Sequence, residues 1–309
     1  MTSSQKFPWI IFSFILVAFG AYIFMSFTAA PTAVSKELGL GKDIARFIVV
    51  LTFALPLFAA FFWGLWGSKL LFKAEGSDNI KTRGLHLLAT GILITVLVLL
   101  VNIMLGQIRS RILIPLNIYE IEKISTIVTN YIYSFGYLLS FYIIFRGTQK
   151  MTTATAAYKT WNVLTSAIVV ILVGTLYVGL SLSNPDRMIS LTPGVRPSHY
   201  LSDVLILTTV ILPSMLAWFF GIVTAFNLAD IFSSPDYQSH QKSYQNLFSG
   251  MLLIIFSIII LQTILSIGTT RFIVIGLTPV LALIYLFAFA LAIGNFFLLR
   301  AAKNLSATS

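Results

Sequence analysis

The chain has 309 residues, is 58% hydrophobic and only 10% charged, and carries a formal net charge of +10. Soluble domains carry about 25% charged residues, so this composition excludes an ordinary water-soluble globular protein. Cysteine is absent, which excludes disulfides, thiol chemistry and cysteine-held metals.

The charges are clustered and leave long apolar runs between them. A run of about 20 such residues crosses the hydrocarbon core as a helix. Eight runs qualify: residues 8–29, 46–68, 85–106, 125–145, 161–182, 202–228, 245–268 and 279–299. Lipid offers no partner to a free backbone N–H or C=O, so continuous helix is the conformation expected for each. The alternating strands of a β-barrel are not seen. The expected fold is all-α, a polytopic membrane protein of eight transmembrane helices.

The first run follows Lys6 and ends near Ala29-Ala30-Pro31, in the manner of a signal peptide with a small-residue cleavage site. Its length and the spans after it favour an uncleaved first helix. The second run holds Pro56, Ala60, Gly64 and Ser68 at four-residue spacing. The sixth repeats that spacing 157 residues later with Pro213, Ala217, Gly221 and Ala225. Both prolines fall within apolar runs, where a missing N–H predicts a kink in mid-helix. In the third and seventh runs Gly91, Asn102 and Arg111 match Gly250, Gln262 and Arg271. In the fourth and eighth, Tyr131, Phe135 and Arg146 match Tyr285, Phe289 and Arg300 at an offset of 154. Trp9 and Trp161 open the first run of each half. The order of Pro, Gly, Arg and Tyr implies a duplication: a first four-helix repeat at 1–150 and a second at 151–309. Four spans is an even number, so both copies enter the membrane the same way round and the repeats are parallel.

Residues at i, i+4 and i+8 share a helix face. Ala60, Gly64 and Ser68 therefore form one groove, and Ala217, Gly221 and Ala225 another. Small faces let helices approach closely where no hydrophobic effect drives them together. Two arrangements fit: the second and sixth spans packed face to face on a pseudo-two-fold axis, or each groove filled from within its own half.

Lys and Arg are weakly biased toward the side that carries the termini. Segments 69–83 and 146–159 are the densest, which predicts both termini cytoplasmic in a cell membrane. The basic loops suit membrane lipids, anionic ones in particular, and no motif supports nucleic-acid binding. Arg111, Arg271, Arg146 and Arg300 lie near span ends as headgroup candidates; snorkelling to the interface is the plainer account.

No carboxylate falls in mid-membrane. Asp203 starts the sixth, Asp230 follows its end, and Glu120 and Glu122 sit in a loop beside Lys123. Proton-coupled pumps keep an ionisable group inside the membrane, so that class recedes. His86, His199 and His240 have no paired ligand on a facing span, and no phosphate loop, nucleophile elbow or zinc motif occurs. No cofactor or metal is expected. Uncharged polar residues remain: Asn102, Gln262, Asn130, Tyr131, Tyr285 and Asn295 are the ligand or pathway candidates, and the fourth span adds Tyr133, Ser134, Tyr137, Ser140 and Tyr142. Interhelical hydrogen bonding explains such residues equally well.

The turn-rich segment 183–201, continuing into Tyr200, Asp203, Pro213 and Trp218-Phe219-Phe220-Gly221, resembles uncharacterised multi-pass membrane proteins of small-genome bacteria. The resemblance covers about 40 residues, 183–221, and implies a bacterial inner membrane, with no activity or site residues attached. The reading is a non-enzymatic integral membrane protein, a scaffold or a subunit of an assembly with a membrane-protein partner. The alternative is a transporter of a small solute or lipid, with its site between the two repeats.

Overall fold

A computed structural model describes residues 41–49, 54–74, 79–108, 119–152, 156–182, 211–234, 241–275 and 277–307, with isolated positions between them. The helices are α1 (Lys42–Val49), α2 (Leu55–Leu71), α3 (Asn79–Ile108), α4 (Tyr119–Met151), α5 (Ala156–Leu182), α6 (Leu212–Ser233), α7 (Gln241–Ile275) and α8 (Leu277–Ala307). The described residues contain no strand. Within them, Ile80–Asn102, Leu212–Ser233, Gln241–Ile259 and Leu286–Ala307 are long and apolar enough to cross a membrane. Leu55–Leu71 and Lys159–Leu172 are apolar but shorter. Helices α2 to α8 overlap the second to eighth apolar runs. The run at 8–29 and the turn-rich segment 183–201 lie outside the described residues.

Pro56 and Pro213 stand at the start of the regular α-helical stretches α2 and α6, with helical backbone before each of them. Ala54 and Ile211, two residues before each proline, keep right-handed helical angles and wider π-type geometry. Glu120 and Glu122, expected in a loop, lie in the first turn of α4.

The described residues form two compact units. One draws on residues 1–74 and 240–309 and contains α1, α2, α7 and α8; the other, residues 75–239, contains α3 to α6. The units therefore do not follow the sequence halves, since each takes helices from both. In the first unit α7 packs on α8, and α8 packs on α2. In the second, α3 packs on α4, α4 on α6, and α6 on α5. α2 and α6 each take a partner from the other half of the sequence, and α6 packs also on α5 of its own half.

The helix crossings depend on small residues. In α7/α8 the backbones meet at Gly250 and Gly294; a Cβ on Gly250 would lie 2.6 Å from the Gly294 carbonyl oxygen. In α3/α4 the corresponding place is Gly91 against Ser140, reached by the offsets of 159 and 154 seen in the sequence. A second close approach there joins Gly84 and Gly147, where a Cβ on Gly147 would lie 2.8 Å from the Gly84 carbonyl oxygen. Side chains at these points would separate the helices and forfeit the dispersion contacts that replace a hydrophobic driving force in lipid.

The parallel pairs match as closely. Trp63 of α2 meets Phe296 of α8 edge to face, with ring centres 5.2 Å apart at 61°. Phe220 of α6 meets Tyr142 of α4 at 5.3 Å and 67°. Phe220 lies 157 residues after Trp63, and Phe296 lies 154 after Tyr142. Edge-to-face rings at these distances contribute about 0.5–1.5 kcal/mol beyond their buried area.

Candidate functional site

Polar side chains concentrate in the second unit, on the buried sides of α3, α4 and α6. At the α3/α4 crossing the Ser140 hydroxyl donates to the Gly91 carbonyl (2.8 Å), and Thr95 Oγ1 approaches the same carbonyl at 3.0 Å. The Thr95 and Ser140 hydroxyls also pair with each other. All of these groups are buried and satisfied.

Further along the same crossing the satisfaction stops. Gly136 of α4 packs against Val98 of α3. Asn102 lies one turn beyond Val98 on that face of α3, and Tyr137 follows Gly136 on α4. The Nδ2 and Oδ1 of Asn102, the Tyr137 hydroxyl and the Ser134 hydroxyl are all buried without a hydrogen-bond partner. Tyr137 is 0% exposed and Ser134 1%. The Tyr137 ring lies edge to face with Tyr133 at 4.7 Å, and Phe141 flanks it at 6.2 Å. A buried polar group left unpaired costs about 1–3 kcal/mol; Ser134 falls on the stripe of α4 that carries Phe145 and Thr148 toward α6, not on the α3 crossing.

A second polar cluster closes the other end of this unit. Asn227 Nδ2 of α6 donates to Thr148 Oγ1 of α4 (3.2 Å), and the Thr152 hydroxyl donates to the Asp230 carboxylate. The Tyr237 hydroxyl donates to the Met151 carbonyl (2.6 Å), and Lys81 Nζ sits over the Tyr237 ring at 4.8 Å. Asp230 was placed beyond the end of its helix; α6 continues to Ser233 and carries it in the last turn. Sequence reading missed this cluster because each member lies at a span end, where polar residues are ordinary. The available signal was the pairing of Thr148 and Thr152 (i, i+4) with Asn227 and Asp230 (i, i+3) on parallel helices.

The remaining sequence candidates are dispersed. Tyr131 is exposed and stacks on Phe135 at 5.8 Å. Asn295 is buried in the first unit, donating from Nδ2 to the Leu291 carbonyl (2.9 Å) while its Oδ1 has no partner. Arg146 is exposed with its guanidinium 3.5 Å from Gln149 Oε1, and Arg300 is exposed. The side chains of Asn130, Gln262, Arg271 and Tyr285, and all of Arg111, lie outside the described residues. Pro56, Ala60, Gly64 and Ser68 are buried on α2, as are Pro213, Ala217 and Gly221 on α6; Ala225 is half-buried. Ser68 returns its hydroxyl to the Gly64 carbonyl (2.8 Å). Among the described residues no group of three His, Asp or Glu side chains is placed to hold a metal. No protein-family model, no curated protein and no solved structure matches the chain.

Proposed function

We propose that the chain is a multi-pass membrane protein of eight spans, built from two parallel four-helix copies at 1–150 and 151–309. It works without chemistry, as a scaffold or subunit of a membrane assembly. The observation that carries this reading is the exchanged pairing. Helix α2 of the first copy is packed on α8 of the second, and α6 of the second on α4 of the first. Alternating access moves one repeat against the other as rigid bodies. Here such rocking of the sequence halves would break both parallel helix pairs, so the exchange favours a braced framework over a rocking carrier. The matched ring pairs Trp63–Phe296 and Phe220–Tyr142 support the duplication. In this reading both termini lie in the cytoplasm of a bacterial cell, with anionic lipid at the loops; the density of Lys and Arg in segments 69–83 and 146–159 supports it.

The exchange is tested in the cysteine-free chain. A cysteine pair at Gly67 and Leu299, where a Cβ on Gly67 would lie 3.4 Å from the Leu299 Cα, is expected to cross-link on oxidation. The matched pair at Thr224 and Phe145 is expected to behave alike. Cross-links between α2 and α4 in their place would remove the exchange. For function, the protein in mild detergent is expected to run as part of a complex of fixed stoichiometry. A chain that runs alone and drives solute uptake in proteoliposomes would replace this reading with transport, the second reading, which the unpaired atoms of Asn102 favour.

A further inference from the structure

We propose that the side of α2 carrying Phe58 and Phe62 is the seat of the first apolar run, residues 8–29, which lies outside the described residues. The run packs there as α5 packs on α6. The inference rests on the duplication proposed above, which the cross-link between positions 67 and 299 tests by itself.

In the second unit α3 to α6 follow one another along the chain, and α5 packs on α6. One stripe of α5 makes that contact: Asn162, Ser166, Val170 and Gly174, at four-residue spacing, are buried. Gly174 meets Met215 of α6, and a Cβ on Gly174 would lie 2.8 Å from the Met215 Sδ. Leu164, Ile168 and Leu172, on the other side of α5, are exposed. At an offset of 153 the first run carries Ser13, Val17 and Ala21 in the places of Ser166, Val170 and Gly174. Ile11, Ile15 and Phe19 stand in the places of Leu164, Ile168 and Leu172. Asn162 alone is not repeated, its place falling to Trp9. The narrow small stripe and the broad apolar side of α5 therefore both recur in the first run.

The seat recurs as well. At the offset of 157, Phe58 of α2 takes the place of Met215. It lies on the side of the helix opposite Gly67, the residue that meets α8. Residues 1–74 belong to the first unit, so the run and its seat share one unit. Residues 30–41 join the run to α1, and elements consecutive in the chain tend to lie side by side. No Asp, Glu, Lys or Arg occurs in residues 8–29, so close packing through small residues is what holds this segment in lipid. A large side chain of α2 set against a small stripe supplies that packing, as Met215 against Gly174 does in the second unit.

The test uses the cysteine-free full chain in detergent. Phe58→Cys with Ala21→Cys is expected to lose both thiols on mild oxidation without forming a dimer. Met215→Cys with Gly174→Cys is the matched pair and is expected to do the same. Phe58→Cys with Phe19→Cys is expected to link about five times more slowly, because Phe19 is on the other side of the run. A disulfide-linked dimer in place of the internal link gives the face to a second copy. Thiols that persist at 21 and 58 while 174 and 215 link give it to lipid. Either result overturns the seat. A second measurement is independent of cross-linking: Ala21→Leu is expected to lower the melting temperature as Gly174→Leu does, and Phe19→Leu to leave it unchanged. Equal shifts from Ala21→Leu and Phe19→Leu remove the proposal. A link between 21 and 58 with none between 67 and 299 supports the seat and sinks only the exchange.

Discussion

The α7/α8 pair of one unit and the α3/α4 pair of the other meet through small residues at matched sequence positions, and several places around the two crossings differ in polarity. Gly250 faces Gly294 where Gly91 faces Ser140. Around that point the first unit places Ile254, Ala288 and Leu291, and the second places Thr95, Ser134 and Tyr137. The parallel pairs diverge the same way. Asn227 and Thr148, hydrogen-bonded in the second unit, correspond to Leu70 and Ala302 in the first. Backbone geometry is common to both because it needs only small residues at the crossings and rings at the flanks. Polarity differs because the crossings do not require it, which leaves those positions open to a function in one unit.

The largest effect is expected at the tightest approach. Gly250→Ala puts a methyl group 2.6 Å from the Gly294 carbonyl oxygen, a backbone atom held by two helices. It should destabilise by about 2–3 kcal/mol in a denaturation titration. Gly67→Ala meets chiefly the end of the Leu298 side chain, which can turn aside, and should lose much less. Equal losses would mean that crossing geometry does not set stability.

Thr148→Ala strands Asn227 Nδ2 in a buried site and should cost about 1–2 kcal/mol. The double change Thr148→Ala with Asn227→Leu installs the pair found in the first unit. It should recover most of that loss, because removing both partners leaves nothing unpaired. A double variant as unstable as the sum of its singles would break the correspondence between the units.

Tyr237→Phe removes the bond to the Met151 carbonyl and should cost about 1 kcal/mol. The smallest measurable effect is the ring coupling. Double-mutant cycles on Trp63–Phe296 and on Phe220–Tyr142 should each give about 0.5–1.5 kcal/mol, and should agree with each other.

Much of this was legible before any coordinates. The matched spacing after Pro56 and Pro213 stood out in the sequence, although the π-type geometry before each proline needed the backbone. Asn102 and the tyrosine-rich fourth span stood out as polar residues in apolar runs. That Asn102 and the Tyr137 hydroxyl have no hydrogen-bond partner could not be read, because whether a buried polar group is satisfied depends on neighbours distant in sequence. The Thr148–Asn227 and Thr152–Asp230 bonds were hidden for the same reason, joining residues 79 and 78 positions apart.

Composition and spacing alone determined the all-helical class, the apolar segments and the paired positions at 157 and 154. Those properties are local, since each backbone in lipid must satisfy its own hydrogen bonds within its own helix. Only the tertiary structure decided that α2 takes α8 and α6 takes α4. The faces of α4 and α8 carry Tyr142 and Phe296 at corresponding places, so a second helix finds an equivalent seat on either. Between two such seats the choice belongs to the assembled packing, and no local pattern records it.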